Sequence, residues 1–398
     1  MVKLYTAFTK EIDDPEAAVR EICEQLNPAE NALKNTVGII HFYYEFAEED
    51  TCRLIADALP FELVGCVSSY IGNNKEYGDV VLSVTMITSD EVRFSVKTIG
   101  DLDTKSQEQI ENEITGLCTE LCVEEMPKMM MPFLTPLQQF SGDELVETVN
   151  RLPNPIPLFG TVAFNTEMKP DTNFVMGNNK ISPTMYAFVA LYGNITPKFR
   201  ITTAFAFEDS FVDVAEVTDA DGPTLRTVNG MPVLDYLKKQ GMVNADNTVV
   251  DSGVWAVPAI LTYPNGMKVV RAFLGIVEGT EHIFATGKMS IGAKIMFAFL
   301  SGEKTLASAE KLMKELTEKK ENDVIAYSCA ARAWALGAQF FAETQKIAEC
   351  AEEYQQTNDT PLNYCVAYSG GEICPEWDND GKMINVLHNY TLVSCALH

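Results

Sequence analysis

Two apolar spacings alternate along the chain. "KLYTAF" is a short strand-like run near the start. In the following "DDPEAAVREICEQL", Ala18, Val19, Ile22 and Leu26 fall on one helical face. Asp13 or Asp14 is placed to cap that helix, and Pro15 suits its first turn. A longer unit of strand, helix, strand, polar loop and strand then occurs three times. The first copy is "VGIIHFYY", a helix over 47–59, "FELVGCVSS", a Gly- and Asn-rich loop, and "DVVLSVTMI". The second is "KMMMPFL", a helix over 143–150, "IPLFGTVAF", the loop "NTEMKPDTNFVMGNNK" and "MYAFVALYG". The third is "DVIAYSC", a helix over 333–355, "LNYCVAYSG", the loop "GEICPEWDNDGK" and "MINVLHNYTLVSCA". In each copy the second strand runs into small residues and a long polar loop. Loops at strand ends of a rigid scaffold are where binding groups gather.

Between the copies lie strands of antiparallel character: "FRITTAFAF", "VAEVTDADGPTLRTVNG", "VWAVPAILTYP", "MKVVRAFLGIV" and "IGAKIMFAFL". The Asn-Gly of "YPNGMK" signals a hairpin, and helices are predicted over 231–240 and 303–319. A boundary near 240–250 ("QGMVNADNT") divides the chain into 1–240 and 241–398, with no low-complexity linker between them. The expected fold is α/β (α+β): two lobes of mixed, largely antiparallel sheets covered by helices, with repeated strand-helix-strand-strand units.

Composition narrows the function classes. The 398 residues, 46% hydrophobic and 22% charged, are enough for a large core. A net charge of -26 opposes nucleic acid phosphates and anionic lipid head groups. The opening "MVKLYTAFTKEIDDPEAA" holds no apolar signal core, and the longest apolar runs fall far short of the roughly 20 residues of a membrane span. Ten cysteines without a Cys-x-x-Cys pair, beside four histidines, show no structural zinc pattern and suit a reducing compartment. A cytoplasmic protein without membrane insertion is expected.

Three C-terminal segments carry chemistry. In "AYSCAARAWALG" a strand ends at Ser328-Cys329 and a helix begins near Ala331. The free N–H groups there attract an anion and Arg332 can clamp a carboxylate. Alternatively Ser328 caps the helix and Arg332 pairs with one of the many acids. In "YSGGEI", Gly370 and Gly371 permit close backbone approach, and Glu372 either receives an ammonium group or is an exposed turn residue. In "VLHNYTL", strand periodicity puts His388 and Tyr390 on one face and Asn389 and Thr391 on the other. Polar atoms then sit on both faces, and each needs a partner if buried. "LVGCVSS" with Cys66 and "LFGTVAFN" with Asn165 are matching strand ends of Gly followed by small or polar residues. P-loop, Gly-x-Ser-x-Gly and His-Glu-x-x-His motifs are missing.

These elements resemble, in order, those of the FIST (F-box and intracellular signal transduction) family. "LVGCVSS" is similar to its Gly-Cys-small element and "PLFGTVAFN" to its Gly-Gly-small-Ala element, with Thr161 at the usual second Gly. "VNGMPVLDYLKK" resembles its Asn-Gly-x-Pro-Ala, "YSCAAR" its Phe-Ser-Cys-x-x-Arg, "SGGEI" its Gly-Glu and "LHNYTL" its His-Asn-x-Thr. The resemblance spans residues 5 to 396. It implies a two-lobed sensor of small ligands, for which amino acids have been proposed, alone or fused to histidine kinase, chemotaxis, cyclic-dinucleotide or F-box modules. For some members it implies a haem-dependent nitric oxide sensor.

The expectation is a non-enzymatic sensor without a cofactor, its ligand an amino acid or related carboxylate, its partner a signalling output protein or fused module. Arg332 and the N–H groups after Cys329 would take the carboxylate and Glu372 the ammonium. His388, Asn389 and Thr391 would orient the ligand, with Ser328, Gly371, Cys66 and Asn165 beside them. The alternatives are haem on His388, a Cys329 nucleophile with His388 as base, and a scaffold using Trp334 and Trp377. The three C-terminal segments are expected to line one cavity.

Overall fold

In the computed structural model the three units fold as three six-stranded sheets on one plan. The residues described are 2–137, 139–167, 169–204, 213–244, 258–358 and 361–397. The repeat is longer than the sequence pattern indicates, because an edge strand and a helix precede each copy. The first unit has edge strand Lys3–Thr9, helix Pro15–Leu26, strand Asn35–Phe42, helix Thr51–Ala58 and strand Leu63–Val67. A hairpin, Ile71–Asn73 and Tyr77–Gly78, and strand Leu82–Ser89 complete it. The second runs Arg93–Ile99, Gln107–Leu121, Met129–Leu134, Gly142–Asn150, Gly160–Val162, hairpin Val175–Gly177 and Lys180–Ser182, then Tyr186–Tyr192. The third runs Lys198–Thr203, Gly302–Lys319, Asp323–Cys329, Ala330–Leu336 with Ala342–Thr357, Asn363–Ser369, hairpin Glu372–Trp377 and Met383–His388, then Thr391–Ala396.

Within each unit the two strands that flank the second helix pair in parallel: His41 opposite Cys66, Phe133 opposite Thr161, Tyr327 opposite Ala367. The last strand returns antiparallel beside the first of these and is flanked by the edge strand. The hairpin does not stay at home. The first unit's hairpin pairs with Asn363–Ser369 of the third, the third's with Gly160–Val162 of the second, and the second's with Leu63–Val67 of the first. No unit completes its own sheet, so the exchange closes a ring.

The polar loops expected after the second strands are these hairpins. The strand expected over "MINVLHNYTLVSCA" is two strands, broken at Asn389-Tyr390, where Tyr390 takes a φ of 61°. There the chain turns from the second sheet into the third. The run of His388, Asn389, Tyr390 and Thr391 therefore marks a corner between two sheets. The helix expected over 333–355 is likewise two, broken at Gly337 with φ 56°.

Both faces of each sheet are apolar, which is why strands such as "MMMPFL" and "YAFVALY" carry no alternation. The outer faces are covered by each unit's own helices. The inner faces meet in one central core, where equivalent positions bring His41 within 6.0 Å of the Phe133 ring and 5.6 Å of the Tyr327 ring, centroid to centroid. Close strand approach explains two matched glycines. A Cβ at Gly65 would be driven into the Ile40 carbonyl oxygen, and one at Gly160 into that of Pro132.

Between its edge strand and first helix the third unit carries an insertion. An eight-stranded sheet and helix Val233–Lys239 form a layer with its own core, including Val217, Leu225, Leu237, Leu261 and Phe273. The "YPNGMK" turn joins Ala259–Thr262 to Lys268–Arg271, with Gly266 at φ 83°. Parts of "FRITTAFAF", "VWAVPAILTYP" and the expected 240–250 boundary lie outside the described residues.

Candidate functional site

The second strands of the three units point their carboxyl ends at one another. Phe164 N donates to Val67 O at 3.2 Å, Tyr368 N to Tyr70 O at 2.9 Å, and Gly370 N to Val162 O at 2.9 Å. Each bond joins a different pair of units. The approach is tight at Gly370, where a Cβ would lie 3.2 Å from the Ala163 carbonyl oxygen. Hydroxyls complete the junction, with Ser68 Oγ donating to Tyr368 O at 3.0 Å and Thr161 Oγ1 to Ser369 Oγ at 2.7 Å.

On the second- and third-unit side of this junction is a cavity of about 400 Å³. Its walls are strand and turn ends of both units, including Ala163, Ser369 and Leu387. Its roof is the inserted layer, including Ala272 and Thr286. That volume lies in the range of sites for drug-sized molecules. At its edge stand two part-exposed aromatics, Trp334 (47%) and Phe284 (37%), Trp334 edge-on to Phe164 at 6.0 Å.

All three C-terminal segments reach the cavity: Cys329, Ala330 and Ala331 from the first, Ser369 and Gly370 from the second, Leu387 and Asn389 from the third. Among the expected site residues, Cys329, Asn165 and Asn389 line it. Asn165 is committed locally, its Nδ2 donating to Thr172 Oγ1 and its Oδ1 accepting from Glu167 N at 3.0 Å. Asn389 is 2% exposed. Its Oδ1 accepts from Thr286 Oγ1 at 2.7 Å, and Thr286 Oγ1 accepts from Ala272 N at 2.9 Å. Its Nδ2 has no partner among the described residues.

The charged clamp expected of Arg332 and Glu372 is corrected by the structure. Arg332 lies on the helix side of its sheet, fully buried. Its guanidinium forms an ion pair with Glu343, donates through Nε to Glu343 Oε1 at 3.0 Å, and reaches Ser308 Oγ at 2.7 Å. Ser328 points the same way, its Oγ 2.6 Å from Glu343 Oε2, and does not cap the helix. Glu372 is sealed in the sheet and accepts from Thr391 Oγ1 at 2.9 Å. Burial pushes its carboxyl well above the usual range, against the pull of Thr391 and Arg332. Bonded to Thr391 and absent from the cavity lining, it is not placed to receive a ligand's ammonium group. Thr391 is spent on this bond. Gly371 sits behind the cavity wall, its N bonded to Ser369 Oγ at 3.0 Å and its O to Val162 N at 3.0 Å. Cys66 belongs to the central core, where its carbonyl lies 3.4 Å from His41 Nδ1.

His388 is buried behind the wall. Its Nε2 lies 3.2 Å from Cys374 O and its Nδ1 3.9 Å from Glu376 Oε1. Burial lowers its pKa to about 4. An axial bond to haem iron needs a ring nitrogen open to a haem-sized space; His388 offers neither, and the group does not fit here. Burial also pushes the Cys329 thiol well above its ordinary range, the reverse of what a nucleophile needs. Among the described residues no cluster of three or more His, Cys, Asp or Glu side chains is arranged to hold a metal ion.

Sequence reasoning missed the contributions of the insertion and of the second unit's helix start. Thr286 and Phe284 sit in an ordinary strand end, and Ser141, Gly142 and Glu144 in a capping box that signals only a helix start. Trp334 stood out solely as a candidate protein contact, while Trp377, 59% exposed, is not part of the cavity.

Fold and site together define a mixed α/β protein: a ring of three hairpin-exchanging sheets with a small-molecule-sized cavity under an inserted layer. The FIST N domain model matches residues 36–231 and the FIST C domain model residues 234–375. The chain belongs to the FIST family, whose domains are sensory domains of signal transduction. No curated protein matches the chain significantly. Among the described residues no helix is long and apolar enough to cross a membrane.

Proposed function

We propose that the chain senses a small molecule in the cavity under the inserted layer and signals by the seating of that layer. The carrying observation is the cavity's position. Its lining comes from the second unit, the third unit and the insertion, each with a core of its own. A molecule that touches all three stabilises one arrangement over others, and differential affinity is all a sensor needs to shift a population. The output is a partner protein or fused module that distinguishes the two seatings. The role is binding: the cavity's thiol is held protonated, and among the described residues no histidine lines the cavity beside it. A reducing cytoplasm suits the ten cysteines, all of them free.

An amino acid held by its two charges is less well supported, because Arg332 and Glu372 are turned away from the cavity.

The test is a thermal-shift screen of small molecules on the wild type and on Ala331→Phe, which fills the cavity. Stabilising compounds are expected to lose their effect in the variant. Hydrogen exchange with a bound hit should slow in 271–289. Hits indifferent to the filled cavity, or exchange unchanged in that segment, would refute the proposal.

A further inference from the structure

We infer that the cavity is built for an uncharged, largely apolar molecule carrying a carbonyl-type acceptor, which takes its hydrogen bond from Asn389 Nδ2. This rests on the reading of the cavity as a ligand site. The lining is dominated by apolar side chains and small residues such as Ala163, Leu274, Ala331 and Leu387. Among the described residues one charged side chain, Glu144, lines it, and no Lys, Arg or His does. An anionic ligand would meet no cation, one carboxylate and the field of a chain of net charge -26.

Asn389 supplies the specific polar contact. Thr286 Oγ1 accepts the Ala272 N–H and donates its own proton to Asn389 Oδ1. With its oxygen on Thr286, the carboxamide leaves its NH₂ end free. The side chain is 2% exposed and lines the cavity, yet the NH₂ group has no partner among the described residues. A donor that lines a cavity and has no protein acceptor is completed by a ligand acceptor. Two hydroxyls of the lining are already engaged. Thr135 Oγ1 donates to Pro183 O at 2.6 Å, and Ser369 Oγ joins Thr161, Gly371 N and Gly371 O. An apolar body with one well-placed acceptor is therefore the complement of this site.

The experiment uses matched triplets with one apolar body and three charge states: phenylacetamide, phenylacetate and phenethylamine, then indole-3-acetamide, indole-3-acetate and tryptamine, extended to a library of such sets. Full-length wild type, Asn389→Asp and Asn389→Ser are compared by thermal shift and calorimetric titration, with circular dichroism to confirm folding. Asn389→Asp keeps the oxygen facing Thr286 and exchanges the free donor for an acceptor. The expected result is binding confined to neutral members, weakened roughly tenfold or more in both variants. Acids or amines binding as well as the amides, or amides indifferent to both variants, would overturn the inference and leave the sensing role standing. No binding by any member of the library would overturn the sensing role itself, and the inference with it.

Discussion

Asp143 Oδ1 lies 2.9 Å from Arg271 Nη2, and both side chains are buried. The pair fastens the inserted layer to the start of helix Gly142–Asn150. Asp143 Oδ2 also accepts from Lys288 N at 2.6 Å, and Arg271 Nη1 donates to Leu387 O at 2.9 Å. Gly142, Leu387 and Gly287 beside these groups line the cavity. The roof is thus seated through one buried charge pair with most of its hydrogen bonds made.

Removing one partner leaves the other charge buried and uncompensated. Asp143→Ala is expected to lower stability by about 3–5 kcal/mol, whereas Asp143→Leu with Arg271→Met should cost much less. Gly287→Ala attacks the same joint, because its Cβ would be driven into Asp143 Oδ2. Denaturant unfolding of the four proteins checks the order.

Stability should depend on pH from both sides. His41 and His388 are buried neutral, with pKa values lowered from 6.5 to about 4. Their contribution is present above pH 6.5 and is lost as pH falls towards 4, roughly 3 kcal/mol for each group if fully expressed. Glu376 has the opposite sign: burial raises its pKa to about 7, so its contribution is present below pH 4.5 and fades as pH rises through 7. His41→Phe should flatten the acid limb. It should also hold or gain stability at pH 7, since His41 Nε2 has no partner in the core. Glu376→Gln should flatten the neutral limb. Melting temperatures from pH 4 to 8 decide both.

The units and most of their helices and strands were legible in the sequence because each depends on local spacing and capping. The hairpin exchange was not. "GEICPEWDNDGK" is polar, and nothing in its own residues says that Glu372 will pair with Thr161, more than two hundred positions away. The three C-terminal segments were legible as neighbours, since parallel strands joined by a helix must end on one edge. Which side chains turn into the cavity was not, because a single residue of phase separates Ser328 from Cys329, and His388 from Asn389. Arg332 looked available for a ligand because its partner Glu343 lies on the far side of a helix break, where spacing gives no guidance. Thr286 belongs to an insertion whose seating no periodicity describes.

Two glycines that look alike in sequence should respond oppositely to alanine. Gly160 is buried beside the Pro132 backbone, so Gly160→Ala is expected to cost about 3 kcal/mol. Gly116 is exposed in helix Gln107–Leu121, and a methyl group added there would meet nothing within 4 Å. Gly116→Ala should therefore stabilise by about 0.5–1 kcal/mol. Parallel denaturation curves test the pair.

Arg332 separates a structural role from a ligand role. Glu343 gathers Arg332 Nε at 3.0 Å, Ser328 Oγ at 2.6 Å and Tyr368 Oη at 2.7 Å, while Arg332 Nη2 also reaches Ser308 Oγ and Thr305 O. The network ties the three helices of the third unit to its central strands, and neither Arg332 nor Glu343 lines the cavity. Arg332→Ala strands a buried carboxylate and is expected to cost about 3–5 kcal/mol. Arg332→Lys keeps the charge but loses the planar fork, and should fall between. Arg332→Met with Glu343→Leu removes both charges and should recover part of the loss, showing coupling when it is compared with wild type and its two single variants. In every variant that still folds, the affinity of a cavity ligand should stay within about twofold of wild type once unfolded protein is discounted. A selective loss of affinity for carboxylates, at unchanged stability, would return Arg332 to the site.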